Sequence, residues 1–271
     1  MITTASIVLY KTDTTELKHI YKCLFGSKII SKLILIDNSP DERLKDIIID
    51  EKVKYVFTGK NLGYGSGHNI ALREILDQSD YHLVINADVS FKSEIIGKIL
   101  DFMKSNPDVG HMMPKVLYPN GKIQPLAKLL PNPFDMFLRG FASESWFSKS
   151  REKFLLTFTH YDKIMNVPYL SGCFMFLRTE ALKKAGLFDE RFFLYPEDLD
   201  LTRRIHENYK TIFYPEVTII HRHAKESAQS IKLFIVLFVN IFRYFNKWGW
   251  FFDKKRQEIN QKVLRELNYY N

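Results

Sequence analysis

Between Gly186 and Arg204 the chain reads GLFDERFFLYPEDLDLTRR, its densest grouping of side chains able to do chemistry. Glu197, Asp198 and Asp200 follow an aromatic run and Pro196, and Arg203 and Arg204 close the stretch. Proline suits the first turn of a helix, where its missing N–H costs nothing. Glu197 and Asp198 would then sit in that turn, facing the positive end of the helix dipole. Phe188, Phe192, Phe193 and Tyr195 can form an apolar wall beside them. A carboxylate at such a boundary can be held partly desolvated with a raised pKa, as a general base requires. An isolated Pro-Glu-Asp would be no more than a helix cap. What else the chain carries decides between the two readings.

Four other groups have useful chemistry. Asp37-Asn38, after the apolar run KLILID, can hydrogen-bond a nucleobase or ribose, although Asp-Asn-Ser-Pro is also an ordinary turn. Asn61 to Asn69 (NLGYGSGHN) is rich in glycine, Gly63 included, and precedes a helical pattern. It lacks the Gly-Lys-Ser/Thr ending of a phosphate-binding P-loop, but its glycines would let backbone approach a nucleotide. Asn86-Ala87-Asp88 places a carboxylate just past an apolar run, suited to a divalent ion carried by a diphosphate. His221 and His223 follow TIIH-type strand sequence and could add a metal ligand or meet a phosphate.

The elements that must position these groups alternate. Ala5–Tyr10, Lys32–Asp37, Lys54–Phe57 and Tyr81–Asn86 are short apolar, β-rich runs, and Thr15–Leu24, Asn69–Leu76 and Glu94–Ser105 have helical spacing. Continuous apolar strands separated by helices predict a mostly parallel sheet covered on both faces. Ligands bind such sheets beyond the carboxyl ends of the strands, where Asp37 and Asp88 both fall. From Leu117 to about Lys163 the pattern loosens, and a variable insertion is expected. Order returns with Val167–Leu177 as a strand, a short helix, the Pro-Glu-Asp segment and a last strand at Thr211–Ile220.

From about Ser230 the chain packs Leu, Ile, Val, Phe and Trp densely. Its unbroken apolar part, Leu233–Val239, is far below the ~20 residues that span a bilayer. Trp248 and Trp250 beside basic residues suggest a helix lying on a membrane surface, against the plainer reading of a helix packed on the domain or in a dimer interface. Glu258–Leu267 reads as a charged, solvated helix. The net charge of +8 fits anionic lipid or phosphorylated small molecules, and no zinc-finger or RNA-recognition pattern supports nucleic acid. Two cysteines make no disulfide framework, so a reducing, cytosolic setting fits. The first residues read as a strand, not a signal peptide.

In order along the chain, SIVLYKTD, LILIDNSP, NLGYGSGHNIALRE, LVINADVSF, LYPNGKIQ, YLSGCFMFLRTEALKKAGLFDERFFLYPEDLDLTRR and TIIHRHAKES resemble the family 2 glycosyltransferases over residues 3 to about 228. These are inverting enzymes of the GT-A fold that use nucleotide-diphospho-sugars. The likeness is strongest to bacterial rhamnosyltransferases of O-antigen or capsule assembly. It implies that Asp37 contacts the nucleobase and that Asp88 binds Mg²⁺ or Mn²⁺ with the diphosphate. It further implies that Asp198 is the catalytic base and that His221 lies at the metal or diphosphate. Donor-binding residues are expected at Asp37, Asn38, Asn61, Gly63, Asn69, Asn86 and Gly172. The middle motif is Asn-Ala-Asp where the family more often has Asn-Pro-Asp or Asp-x-Asp, so one carboxylate is offered to the metal. The Gln-x-x-Arg-Trp motif of processive synthases is absent, which points to addition of a single sugar.

Inverting transfer is one displacement at the anomeric carbon. It needs a base for the acceptor hydroxyl and charge stabilisation for the departing nucleoside diphosphate. Glu197 and Asp198 are neighbours whose side chains diverge by roughly 100° on a helix, unlike the paired carboxylates of a glycosidase. Asp198 is therefore expected as the base, with Glu197 supporting it. A sugar nucleotidyltransferase would want a glycine-rich basic loop after the first strand, and Tyr10-Lys11-Thr12-Asp13 has no glycine. A non-enzymatic nucleotide- or membrane-binding module is the other alternative. The chain is expected to divide into a GT-A domain (1–228) and a helical tail (229–271). Its expected acceptor is a glycan or polyprenyl-diphosphate-linked saccharide, met on the cytoplasmic face of a bacterial plasma membrane. A homodimer through the aromatic tail is a further expectation.

Overall fold

The computed structural model describes residues 1–45, 50–137, 148–222 and 231–270. A nine-stranded sheet forms its centre. Strands β1 (Thr3–Leu9), β2 (Ile30–Asp37), β3 (Val53–Phe57) and β4 (Tyr81–Ile85) pair in parallel in the order β3-β2-β1-β4. The short β5 (Val89–Ser90) lies at the far edge, and β6 (Val109–Leu117) runs with the first four. Beyond β4 come β10 (Phe174–Arg178), which runs antiparallel, then β6, and then β11 (Lys210–His221), parallel to β6. β5 and β8 (Met165–Asn166) add to β11 antiparallel. The sheet is thus mostly parallel, as expected, and one reversed strand sits at its centre.

Both faces are covered because successive residues of each strand point to opposite sides and are apolar on both. Ala5, Ile7, Leu9, Leu33, Leu35, Leu83, Ile85, Phe174 and Phe176 pack to one side, under α1 (Thr14–Phe25) and α3 (Ile95–Ser105). Ile34, Ile36, Val84, Met175 and Leu177 point to the other. There they meet α2 (Tyr64–Ile75), α6 (Thr179–Ala185) and α7 (Glu197–His206). At ~1.5–3 kcal/mol per fully buried aliphatic side chain, this double-sided burial fixes strand register. A slip of one residue would exchange the two faces.

Three segments differ from the sequence expectation. Val167–Leu177 is broken at Ser171-Gly172-Cys173: β9 (Tyr169–Leu170) leaves the main sheet to pair with β7 (Ala127–Lys128). Helix α2 begins at Tyr64, five residues before the expected Asn69, so Gly65 and Gly67 lie inside it. The stretch expected as a loose insertion carries β7, α4 (Pro133–Phe137) and α5 (Ser148–Phe154), and it buries Leu129, Leu130, Phe154, Leu155, Leu156 and Tyr161. Those residues are core rather than ornament.

The tail forms α8 (Ile231–Trp248) and α9 (Lys254–Glu266). Ile241, Tyr244 and Phe245 of α8 pack with Leu199 of α7, Phe192, Tyr169 and Leu130. Val263, Leu264 and Leu267 join the main core, so the expected solvated helix has one buried face. Among the described residues no helix is long and apolar enough to cross a membrane.

Candidate active site

The carboxyl ends of the parallel strands and the N-terminus of α7 meet at one edge of the sheet. Pro196 stands immediately before α7 with φ −102° and ψ 55°, and no side chain caps the helix. Its first-turn carboxylates are nevertheless buried, Glu197 at 4% and Asp198 at 9% exposure. Asp198 Oδ2 accepts the Gly172 N–H at 2.9 Å and Oδ1 accepts the Leu199 N–H at 2.7 Å. Glu197 Oε2 is buried without a hydrogen-bond partner among the described residues. Burial pushes both carboxyls above the usual carboxylate range. The Asp198 charge adds to the rise at Glu197, whereas the Gly172 N–H and the Lys128 ammonium restrain the rise at Asp198. Of the two, Asp198 is the better stabilised anion.

Asp200 does something else. It is fully buried, and its oxygens receive Arg204 Nε (2.9 Å), Trp248 Nε1 (2.8 Å) and Lys247 Nζ (2.6 Å). That is a structural tie between α7 and α8. Trp248, expected at a membrane interface, is instead turned inward, with the Arg203 guanidinium 4.0 Å from its ring centre. Arg203 in turn pairs with Asp253 at 2.7 Å. The polar row of α8 continues this inward bonding: Asn240 donates to the Leu194 carbonyl and Arg243 to that of Arg191.

Gly172 is where the site's parts join. A Cβ there would lie 3.2 Å from Asp198 Cβ and 3.4 Å from the Tyr64 ring, so no other residue lets the base approach this backbone unshifted. Tyr64 donates its hydroxyl to the Gly172 carbonyl at 2.7 Å. Burial, then nearby negative groups including Glu197, Asp198 and Asp88, hold that phenol far above its ordinary pKa and therefore neutral. The next carbonyl, that of Cys173, accepts the Asn86 N–H at 3.1 Å. Two consecutive residues thereby connect the Asp198 side of the site to the Asp88 side.

On that second side, β5 pairs with the end of β11 and brings His221 opposite Val89. His221 Nε2 lies 3.4 Å from Asp88 Oδ1 and 3.4 Å from Asn86 Nδ2. Gln124 donates its amide to the His221 carbonyl (2.7 Å) and the Leu117 carbonyl (3.3 Å), which fixes which way the amide points. Its oxygen then accepts a hydrogen bond from His221 Nδ1–H at 3.1 Å, leaving Nε2 directed to Asp88. Asn86 Oδ1 is buried without a hydrogen-bond partner among the described residues. A carboxylate, an imidazole nitrogen and an amide oxygen suit a divalent ion that draws its remaining ligands from a diphosphate. Among the described residues no group of three or more His, Cys, Asp or Glu would hold an ion unaided. His223 lies outside the described residues.

The expected donor residues fall into two kinds. Asp37 closes β2 at the carboxyl edge and accepts from Tyr55 OH (2.6 Å) and Ser39 N (2.9 Å). Asn38 donates to the Gly63 carbonyl (3.0 Å), Asn61 accepts from Gly63 N (3.0 Å), and Thr58 bonds Asn38. Gly63, at φ 85°, is crossed so closely by the Phe193 carbonyl that a Cβ would sit 2.1 Å from it. The glycine thus makes room for the chain itself. Asn69 is buried, with Oδ1 on Phe188 N (3.0 Å) and Nδ2 on Phe188 O and Glu190 (both 2.9 Å). Its role is to tie α2 to the segment that carries the base.

Sequence reasoning passed over Tyr64, Gln124 and Lys128. Tyr64 and Gln124 lay within segments already singled out, but nothing in their spacing marked them. Lys128 is 4% exposed, with its ammonium 4.7 Å from the centre of the Tyr169 ring. A lysine in a loosely patterned stretch gives no sign of burial; only the β7–β9 pairing, Lys128 opposite Tyr169, places it here.

Similarity to known proteins bears on the family and the fold. Residues 27–186 match the model for "Glycosyl transferase family 2". An N-acetylglucosaminyl-diphospho-decaprenol L-rhamnosyltransferase of Mycobacterium tuberculosis is 25% identical over 218 residues, covering 73% of this chain and 68% of that protein. The crystal structure of S. aureus TarS 1–349 in complex with UDP superposes at a TM-score of 0.60 and 15% identity, over 100% of this chain and 73% of that one. GalNAc-T7 with UDP, GalNAc and Mn²⁺ gives 0.59 and 15% over 81% of this chain, which spans 43% of that longer one. The shared GT-A architecture, the family match and the carboxylates at the strand ends lead to one conclusion: this chain is an enzyme of glycosyl transferase family 2.

Proposed function

We propose that the enzyme moves one sugar, with inversion, from a nucleotide-diphospho-sugar such as dTDP-rhamnose or a UDP-sugar to a hydroxyl of a glycan or lipid-linked oligosaccharide. The observation that carries this reading is the placement of Asp198 and of the Asp88–His221 pair on either side of Gly172-Cys173. Asp198 takes the acceptor hydroxyl proton, the Gly172 N–H and Lys128 favour its ionised form against the rise that burial imposes, and Glu197 supports it from the same helix turn. Asp37, Asn38, Asn61, Gly63 and Asn69 form or brace the nucleoside end, and Asn86 the diphosphate end. A divalent ion held by Asp88 and His221 would offset charge on the departing nucleoside diphosphate. The mycobacterial relative's name, with its L-rhamnosyl donor group and diphospho-decaprenol acceptor, supports rhamnose and a lipid-linked acceptor here.

A turnover screen with dTDP-rhamnose, UDP-galactose, UDP-glucose, UDP-N-acetylglucosamine and GDP-mannose, with and without Mn²⁺, tests the proposal. Asp198→Asn should abolish transfer to acceptor while donor binding survives. Normal turnover in that variant would remove Asp198 from its role.

Association with a membrane surface belongs to the same proposal. Phe234, Ile235, Phe238, Val239 and Phe242 line the outer face of α8 at 40–56% exposure, at helical spacing, while the helix's polar row faces the protein. Vesicle co-sedimentation that Phe238→Glu eliminates would support lipid contact. A concentration-dependent dimer without vesicle binding would assign the same face to a second subunit.

A further inference from the structure

A cleft of about 420 Å³ lies between α4, α5 and α9, apart from the carboxylates of the active site. Its volume is within the ~300–1,000 Å³ range of small-molecule sites. Phe134 and Phe251, 63% and 56% exposed, face each other in its lining with ring centres 6.4 Å apart. Large exposed rings so paired offer flat apolar faces to a ligand.

The polar lining divides sharply by charge. Arg256 is engaged by the carbonyls of Pro131, Gly249 and Trp250, and Lys153 sits over the rings of Tyr269 and Tyr270. Asp135 accepts the Asn132 N–H. Asn260 spends both ends of its amide on Leu130. Gln257 and Gln261 lie one turn apart on α9 and are exposed, and no hydrogen bond engages their side chains among the described residues. The charged groups of the lining thus have partners within the protein, and its exposed amides and aromatic faces offer the chemistry that recognises an uncharged saccharide.

Position adds to composition. The cleft wall begins at Leu129 and Leu130, directly after Lys128, whose charge acts on Asp198. Leu130 of that wall packs in one buried cluster with Leu199, the residue next to Asp198. We infer that this cleft is a saccharide subsite, holding sugar units of the acceptor glycan beyond the one that reacts at Asp198. The inference rests on the glycan-acceptor reading above.

Saturation-transfer NMR on the whole protein, with chitotriose and an α-rhamnose trisaccharide and with no donor or metal, tests it directly. Saturation transfer to at least two sugar rings of one probe is expected. It should weaken at least tenfold in Phe134→Ala/Phe251→Ala and in Gln257→Ala/Gln261→Ala, with donor hydrolysis unchanged in both. Absence of transfer from either probe, transfer that survives both double variants, or affinity for inorganic phosphate alone would overturn the subsite. Sugar transfer by the unmodified protein, from the donors of the screen above, is scored separately. Its absence alongside sugar binding would sink the proposed reaction and leave the subsite standing as a saccharide site.

Discussion

The Gly172 N–H donates to Asp198 Oδ2 across 2.9 Å, and a Cβ on that glycine would lie 3.2 Å from Asp198 Cβ. The base is thus aimed by a residue at which any side chain would push it aside by a few tenths of an ångström. Gly172→Ala is expected to lower kcat by roughly tenfold, less than the ~10²-fold that a ~1 Å misplacement costs. Donor affinity, measured by calorimetry, should change little.

The acid limb of the pH–rate profile should lie above the usual carboxylate range, because burial raises Asp198 and only its ionised form is a base. Activity is then lost as pH falls through that raised value. Lys128→Met removes a positive neighbour and should move the limb to higher pH. A shift of about one unit gives a roughly tenfold loss below the limb that alkaline buffer restores. Lys128→Arg should keep the limb in place.

Gln124 directs His221 Nε2 toward Asp88 without reaching that side itself. Gln124→Ala should weaken Mn²⁺ binding by about 10–100-fold in a titration with UDP present, as loss of such supporting hydrogen bonds does. The fold should be untouched, which circular dichroism would check.

Arg203 and Asp253 form a buried pair, at 1% and 5% side-chain exposure. Asp253→Ala strands the guanidinium, at a cost of about 3–5 kcal/mol. Scanning calorimetry should record a fall in Tm on the order of 10 °C. Replacing both partners by apolar residues of similar volume should recover most of it.

Glu197 carries a pKa raised by burial and by Asp198. Folding therefore favours its protonated form: that stability is present below the unfolded pKa and is lost as pH rises through the folded one. Glu197→Gln should stabilise the protein, and by more at pH 8 than at pH 5. Paired urea denaturations would read this directly, and an equal effect at both values would refute it.

Much of the sheet was legible because strands buried on both faces must be apolar throughout, as in Ile7–Leu9 and Leu33–Ile36. The Pro-Glu-Asp turn was legible because its residue types suit a helix start. β6 escaped notice because Pro114 interrupts it, although Pro114 sits in register with Tyr214. The sidedness of α8 could not be read from its pattern. A helix with a polar row normally turns that row to water. Here Asp200 and the carbonyls of Arg191 and Leu194 need donors, and Trp248, Lys247, Arg243 and Asn240 supply them. Lys128 and Gln124 depend on pairings distant in sequence, which local spacing does not encode.

The segment from Ala185 to Leu194 is held chiefly by its main chain. Asn69 grips Phe188 at both N–H and carbonyl, and Arg204 takes the carbonyls of Ala185 and Leu187. Arg243, Tyr64 N–H and Asn240 take those of Arg191, Phe193 and Leu194. A loop anchored in this way can exchange side chains without re-aiming the residue that follows it. Selection for a new acceptor could therefore rewrite the half-buried part of the aromatic wall, Phe193 and Tyr195, in small steps, while Phe188 and Phe192 stay fixed in the core.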